Sequence, residues 1–437
     1  MALVTAADTG PSSPLAWLRA LWRSAGWGER SLFLAVALLF AFRATFYRGR
    51  PGGDRTGFHV IAAGVLDGHP DRNPGRNTYP PTFSVAMVPV ELARRSVGDL
   101  PVRMVWGLGQ LAALVYLSFA CASLFARHLG LGGLALVWVA GWRFVVSDLN
   151  NQNVSLFLAA MVAAALLAFD RGRETRAGAL LGVGTLLKVW PGAALIALVF
   201  APALRRARAV RGFVAAIAIG GAVTAAALGP AGLVEAIRFW IHDIVPRVGG
   251  PALLNQSFRG LCYRLLVPGV DIRATTTAPL GPLADRARLV SMGLGLALFV
   301  SVCAVLFFRR ARDGRERALD GFLLTVAAMP ALPIVWVHYA VTTLPLMMAV
   351  AAVATDPTPA LLGMRRWAIA LAAAGSILAC LLDVDLVGVR AWRAAAFFGN
   401  ALAGVLLLLS AGLMVRAIWR VGARAVPGRS PPPSPPP

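Results

Sequence analysis

The sequence predicts an all-α fold: a polytopic transmembrane helical bundle with about 10–12 membrane segments, some broken or re-entrant. Three observations carry that prediction. Hydrophobic residues make up 58% of the chain and charged ones only 14%, against about 45–50% and 25% in soluble domains. Mean hydropathy is +0.70 over the 437 residues, and the apolar residues fall in runs close to the roughly 17–25 residues that span a bilayer. Short arginine-rich stretches separate those runs, the pattern of loops retained on the cytoplasmic side.

The charge balance needs the same frame. A net charge of +22 would point to nucleic acid in a soluble chain. Here the basic clusters are too short and too close to apolar runs, so the partner they imply is the lipid bilayer and no nucleic acid. Cys121, Cys262, Cys303 and Cys380 are scattered without CxxC pairing, which gives neither a disulfide framework nor a metal site.

Taken in order, residues 1–30 form a cytoplasmic and interfacial N-terminal segment, in which Trp17, Leu18, Leu21 and Trp22 sit among arginines. The first apolar run, 31–47, is followed by no small-residue cleavage site and reads as a retained span. It opens the membrane domain, 31–420. Arg19, Arg23 and Arg30 place the N-terminus in the cytoplasm, so the polar loop 48–80 is expected outside. Within it, Phe58 to Leu66 suits a short amphipathic helix on the membrane surface.

A second span is expected at 81–93, ending inside at Arg94 and Arg95, and a third at 103–126. The apolar segments 131–146 and 154–169, joined by SDLNNQN, cannot both cross if the next basic loop is cytoplasmic. We therefore expect 131–146 to be a re-entrant or outer-leaflet segment, leaving 148–153 as a polar turn near the outer surface. Segments 177–187 and 190–202 each hold about a dozen residues, roughly 17 Å of helix, too short for ~30 Å of hydrocarbon. They read as a hairpin entering from inside, with Lys188 and Pro191 at its apex. Further spans are expected at 213–228, 288–308, 319–333, 339–354, 366–384 and 393–416, with a second outer loop at 229–286 and both termini cytoplasmic. Residues 421–437 form a proline-rich disordered tail.

Few residues in this chain can carry chemistry. Lys188 is the only lysine among 42 basic residues, and it lies in an apolar run where an ionisable group costs at least about 2.5–3.5 kcal/mol. Either it snorkels to an interface, or it holds a compact ammonium toward a phosphate in a polar cavity. The amides Asn151, Gln152 and Asn153 suit sugar hydroxyls or helix capping. Asp54, after Gly52 and Gly53, is the acid nearest the first span; Asp67 and Asp71 look like turn formers. His338, between Trp336 and Tyr339, is either an acid or base at a span end or part of an interfacial aromatic cluster. Asn255, Gln256 and Arg259 could bind substrate from the second outer loop. His242 and Asp243 lack metal-ligand spacing, and no phosphate-binding glycine loop, HExxH or GxSxG occurs. No metal site and no cofactor is expected.

In order along residues 50–350, these features resemble glycosyltransferase family 87, GT-C-fold enzymes that use polyprenyl-phosphate sugars, its α-mannosyltransferase group in particular. The resemblance rests on Asp54 followed by the amphipathic segment, then Tyr79-Pro80-Pro81, Asn151-Gln152-Asn153, Lys188-Val189-Trp190-Pro191, Asn255-Gln256-Ser257 and Trp336-Val337-His338-Tyr339. Two positions depart: Asp54 is followed by Arg55-Thr56-Gly57-Phe58 where the family often has an aromatic and a tyrosine, and Asn151 stands where it has glycine. The resemblance implies an inverting hexosyl transfer, mannose first among the sugars, from a polyprenyl-phosphate donor to a glycolipid or glycan acceptor. It sets this on the extracytoplasmic face of the plasma (inner) membrane. Asp54 would be the general base, with His338 beside it. Lys188 would hold the leaving phosphate, and Tyr79, Asn151, Gln152, Asn153, Asn255, Gln256, Arg259 and Tyr339 would bind substrate. A transporter or flippase of lipid-linked saccharides is the competing expectation, since broken helices with a midplane cation also mark transporters. No internal repeat supports it.

Overall fold

The computed structural model describes residues 13–46, 54–68, 78–126, 128–274, 277–355 and 361–422. Parts of the expected outer loop, 47–53 and 69–77 with Gly52, Gly53 and Asp71, lie outside the described residues, as does the tail from 423. Regular structure among the described residues is entirely helical.

The chain begins with α1 (Pro14–Ser24), capped by the Ser13 hydroxyl, and α2 (Trp27–Thr45), whose Glu29 carboxylate accepts from the Gly26 amide at 2.9 Å. Then follow α3 (Asp54–Leu66), α4 (Pro81–Ala86), α5 (Val88–Val97) and α6 (Asp99–Leu124). The expected second span does not form. Residues 81–97 fold as two short helices broken at Met87, and Gly98, at φ +87°, ends the second.

Side-chain pairing pins these short helices to one end of the bundle. Arg55 on α3 bonds Asp99 at the start of α6, His59 Nδ1 meets Glu91 on α5 at 3.1 Å, and Arg95 reaches Asp67 at 3.5 Å. Residues 54–99 therefore stay at the end that α2 has reached, and Arg94 and Arg95 belong there too. This corrects the expected placement of the two arginines and removes the parity problem that followed from it.

Because 81–97 turns back, α6 returns to the opposite end and residues 131–151 must run forward again. They do so as α7 (Leu131–Ala140) and α8 (Trp142–Asn151), bent by 67° at Gly141. At one end Gly132 packs on Glu29; at the other Gln152 donates to the Arg103 carbonyl near the start of α6. The expected re-entrant segment is thus a bent passage. Residues 148–151 are helical, and the polar turn shrinks to Gln152 and Asn153.

Next come α9 (Ser155–Asp170), α10 (Glu174–Leu187), a 3-10 turn (Trp190–Ala193), α11 (Ala194–Val199) and α12 (Ala203–Leu228). Here the expected hairpin is present. The chain leaves helix at Lys188 and folds back, so that a Cβ on Gly184 would press on Pro191 and one on Gly192 on Thr185. Helices α10 and α12 run parallel in backbone contact: a Cβ on Gly178 would collide with the Ala209 carbonyl, and one on Gly212 with that of Thr175. Small residues permit that approach, as in membrane helix pairs.

The region 229–286, expected as the second outer loop, contains α13 (Pro230–Phe239), a π turn (Trp240–Ile244), α14 (Val245–Arg247) and α15 (Phe258–Leu266). The chain then continues through α16 (Pro282–Phe308) and α17 (Gly314–Ala328) to a 3-10 turn (Met329–Ala331) and an irregular stretch at 332–336. A second 3-10 segment (Val337–Thr343) leads into α18 (Leu344–Ala354). It finishes with α19 (Leu362–Ser376), a π turn (Ile377–Leu381), α20 (Val384–Phe397) and α21 (Asn400–Gly422).

Six helical stretches among the described residues are long and apolar enough to cross a membrane, or seven counting the bent α7–α8 pair. Shorter apolar helices such as α9 and the Trp190–Val199 stretch stand beside them, in keeping with membrane segments of which some are short or broken. Opposite the Asp54 end, arginines knit the helix termini together: Arg205 to Glu174 at 2.7 Å, Arg312 to Glu316 at 2.6 Å, and Arg416 to Asp320.

Candidate active site

Three breaks in regular structure meet at one place. Asp54 occupies the first turn of α3, where a carboxylate suits the positive helix end. Lys188 follows α10 in an extended conformation, its amide the last to bond back to the helix, and Pro191 starts the return. Gln152, at φ +50°, is the only non-glycine residue with positive φ among those described, and its left-handed turn swings Asn153 across the start of α9.

Asn153 joins the other two. Its Oδ1 accepts from the Val154 amide at 2.7 Å, the Ser155 amide at 3.1 Å, the Ser155 hydroxyl at 2.8 Å and Lys188 Nζ at 3.4 Å. All four partners donate, which fixes the amide orientation. Nδ2 must then face Asp54 Oδ2, at 2.7 Å, and the Tyr79 hydroxyl, at 3.1 Å. One fully buried amide thus links carboxylate to ammonium.

Aromatic rings complete the cluster. Lys188 Nζ lies 3.4 Å from the centre of the Tyr339 ring and 5.0 Å from that of Tyr79, within cation–π range. Tyr79 stacks on Phe83 at 4.2 Å and meets Phe58 edge-on at 5.4 Å. Phe58 lies one helical turn beyond Asp54, so the same packing places α3. His338 Nε2 sits 3.4 Å from Asp54 Oδ2 without the angle for a hydrogen bond. Asp54 keeps 28% of its side chain exposed while Lys188 keeps only 7%, so the carboxylate faces the way in and the ammonium the interior.

Burial pushes the Asp54 carboxyl above its ordinary value, against the opposing effects of the Asn153 bond and the Lys188 charge. Burial also holds the Tyr79 phenol neutral, well above its usual range.

The structure thus brings together Asp54, Tyr79, Asn153, Lys188, His338 and Tyr339. Others it places elsewhere. The Asn151 amide donates to the Ser147 carbonyl of its own helix, and that of Gln152 to Arg103. Asn255 bonds the main chain of Gly250, Pro333 and Val335; Gln256 bonds Leu253, Ala396, Ala401 and Leu402. Arg259 donates to the Val245 and Val248 carbonyls. In this arrangement these five donate to the main chain; around Asn255 and Gln256 the irregular segments 249–256 and 332–336 have no ladder of their own.

Sequence reasoning missed Gln110, which donates to Asp148 Oδ2 at 2.9 Å and to the Asn153 carbonyl at 2.9 Å. A lone amide in the apolar run of α6 was the available signal. Also missed was the network of Arg55, His59, Glu91 and Asp99 that anchors α3. There Arg94 holds the Glu91 carboxyl down at about 2, while burial, helped by Arg55, lowers the His59 imidazole.

Fold and site together define a polytopic membrane enzyme whose carboxylate and ammonium meet where helices break. The chain belongs to glycosyltransferase family 87, whose model matches residues 77–333. That span holds Tyr79, Asn153 and Lys188, with Asp54 and His338 just outside it. The transporter and flippase expectation is set aside by this membership. Among characterised relatives, a polyprenol-phosphate-mannose-dependent alpha-(1-2)-phosphatidylinositol pentamannoside mannosyltransferase of Mycolicibacterium smegmatis is 28% identical over 338 residues, covering 72% of this chain and 74% of the relative. Among solved structures, ArnT from Cupriavidus metallidurans bound to undecaprenyl phosphate aligns over 92% of this chain and 80% of its own, at 19% identity and a TM-score of 0.34. A TM-score that low supports no comparison of folds.

Proposed function

We propose that this glycosyltransferase moves a mannosyl unit from a polyprenyl-phosphate donor to a lipid-linked glycan acceptor, with inversion at the anomeric carbon. The observation that carries the reading is the bridge of Asp54, Asn153 and Lys188: a base and a cation held together by one amide. Asp54 Oδ2 takes the proton of the acceptor hydroxyl. The acceptor oxygen bonds the anomeric carbon as the bond from that carbon to the phosphate oxygen breaks, and the electron pair leaves on the phosphate. Lys188 stabilises that developing charge. His338, 3.4 Å from Asp54, lies beside the proton transfer, and Tyr79 and Tyr339 orient the ammonium. No cofactor is called on beyond the donor itself. The mannosyl donor is supported by the relative's specificity.

In the same reading the Asp54 end faces the extracytoplasmic side of the plasma (inner) membrane and both termini are cytoplasmic. Arg205, Arg206, Arg208, Arg309, Arg310 and Arg312 lie at the opposite end, supporting that orientation. Arg94 and Arg95, at the Asp54 end, are paired with Glu91 and Asp67.

The test is transfer of radiolabelled mannose from polyprenyl-phosphate mannose by the purified full-length protein, with polyprenyl-phosphate glucose as the comparison. Mannose transfer that the Asp54→Asn variant abolishes is the expected result. Transfer of glucose alone would overturn the sugar, and full activity of Asp54→Asn the assignment of the base.

A further inference from the structure

Asn153 can bridge Asp54 and Lys188 only if its own backbone is held, and two glutamines hold it. It follows the break between α8 and α9, where Gln152 takes φ +50°. That left-handed conformation is costly for any residue but glycine, and glycine is the residue that most often closes a helix this way. A glutamine there needs a reason in its side chain. The side chain is buried, and its Nε2 donates to the Arg103 carbonyl near the start of α6 at 3.2 Å. Two turns further along α6, on the same face, stands Gln110, fully buried. Its Nε2 donates to the Asn153 carbonyl at 2.9 Å, to the Asp148 carbonyl at 3.0 Å and to Asp148 Oδ2 at 2.9 Å. One glutamine therefore reaches from the break into α6, and the other from α6 into the break.

Helix α6 also holds the opposite end of the bridge. Asp99, its first residue, takes Arg55, the neighbour of Asp54 on α3. Trp106, between Arg103 and Gln110 on the same face, lies 6.3 Å from Phe58 of α3 and 5.3 Å from Phe157 of α9. A Cβ on Gly107 would collide with the Ala44 carbonyl, so α6 rests against the backbone of α2 and has no room to shift that way. Base and amide are thus both referred to one well-seated helix. The bond of 2.7 Å from Asn153 Nδ2 to Asp54 Oδ2 is set by how firmly each is tied to it.

We propose that Gln110 and Gln152 are positioning residues for the transfer: from opposite sides they clamp the α8–α9 break to α6, and so set the Asn153 amide against Asp54 and Lys188. Both act through Asn153, not on the reacting atoms, and neither carries a charge. This inference rests on the transferase reading above.

The experiment compares Gln152→Gly, Gln110→Met, Asn153→Ala and Asp54→Asn in the full-length protein reconstituted in nanodiscs, with polyprenyl-phosphate mannose as donor. Gln152→Gly removes the side chain where the backbone suits glycine, so Tm should hold or rise. Its kcat should fall about three- to tenfold with donor KM within about twofold. Gln110→Met should lower kcat about tenfold or more, and lower Tm as well, since it leaves buried acceptors unpaired. In both, the acid limb of kcat should move to higher pH. The Asn153 bond lowers the Asp54 carboxyl, and loosening it lets burial raise that group further. The other titratable groups facing Asp54, namely Lys188, His338, Tyr79 and Tyr339, are the same in every glutamine variant. On an Asn153→Ala background either glutamine change should cost less than about twofold more, because the group it positions is gone. Wild-type kcat and an unmoved limb in Gln152→Gly and Gln110→Met would make the clamp purely structural and overturn the proposal. Equal losses with and without Asn153 would overturn it too. Should Gln110→Met fail to fold, Gln152→Gly decides alone by the same readings. Asp54→Asn separates the two readings. If it stays active, the base assignment falls; if it is inactive while both glutamine variants are normal, only this inference falls.

Discussion

Two amide-rich motifs in this chain look alike in sequence and do opposite things. Asn151-Gln152-Asn153 and Asn255-Gln256-Ser257 each join irregular backbone to a helix start, and each contributes residues expected to bind substrate. In the first, Asn153 caps α9 with its oxygen and directs its nitrogen to a carboxylate and a phenol. In the second, Asn255 and Gln256 bond main-chain groups on both sides, from Gly250 to Leu402. The difference lies in what the neighbouring backbone leaves unsatisfied. Asn153 follows a helix that ends properly in a left-handed residue, so only one face of its amide is claimed. Asn255 sits among irregular segments whose carbonyls take its nitrogen and whose amides take its oxygen, so both ends are claimed. The type of residue marks a broken helix; only the partners say whether it is reactive.

The sharpest way to break that comparison is at the acid Asn153 touches. Asp54→Asn is expected to lower kcat by about 10²–10⁴-fold with little change in Tm, read by radiolabelled transfer. Its pH profile adds the sign. Burial raises the Asp54 carboxyl above its ordinary 3.8, so the base is protonated over a wider acid range, and kcat should fall with decreasing pH on a limb above the usual carboxylate range. A limb at or below that range would mean Asp54 is not the group that titrates.

Next in size is the bridge itself. Asn153→Ala unhooks Asp54 from Lys188 and should lower kcat about 10²-fold, as small misplacements do, and it removes a helix cap worth about 1 kcal/mol. Asn153→Asp keeps the cap and adds a negative charge against Asp54, so Tm should recover while kcat does not. Recovery of both would reduce Asn153 to a cap, like Asn255.

How much of this could be read beforehand follows the same division. The helical class came from composition and the hairpin with Lys188 at its apex from a residue type rare in a membrane segment, while the grouping of Asp54, Tyr79 and His338 was what the family resemblance implied. The fate of 81–97 came from none of these. Its arginines follow the rule for a cytoplasmic loop; Glu91 pairs with Arg94 and Arg95 inside α5, but it takes Asp67 on Arg95 and Asp99 on Arg55, contacts between separate segments, to reveal that they lie at the Asp54 end. Long-range pairing leaves no local periodicity. Gln110 was hidden for the same reason: its partners lie 38 and 43 residues away, so it looked like an isolated polar residue in an apolar helix.

Asn255→Ala tests the other half of the comparison. It strands the Gly250 carbonyl and the Val335 and Ser257 amides, while the Pro333 carbonyl keeps the Ser257 hydroxyl, so a loss of about 1–3 kcal/mol for each buried group left unpaired is expected, seen as a lowered Tm. Activity per folded molecule should drop less than for Asn153→Ala, through a looser approach to His338. A loss of donor binding at unchanged Tm would show that Asn255 meets substrate after all.

The smallest effect should come from the anchor of α3. Glu91 is held by Arg94 at 2.8 Å and by Arg95 at 2.9 Å, and its carboxyl drops from an ordinary 4.5 to about 2. A carboxyl depressed in the folded state adds stability that is complete above its unfolded value and is lost as pH falls through the folded one. Between about 4.5 and 2, therefore, the wild-type Tm should fall more steeply with decreasing pH than that of Glu91→Gln, and near pH 7 the variant should melt lower. The Arg95 partner is exposed and screened by salt, which keeps the difference modest. Because α3 carries Asp54 at its first turn, the same substitution should loosen the base without touching it. A raised acceptor KM at neutral pH with near-native kcat at saturation would place Glu91 with Asn255, as scaffold. A kcat loss approaching that of Asp54→Asn would place it with Asn153, and the boundary between site and scaffold would have to move outward to include the ion network.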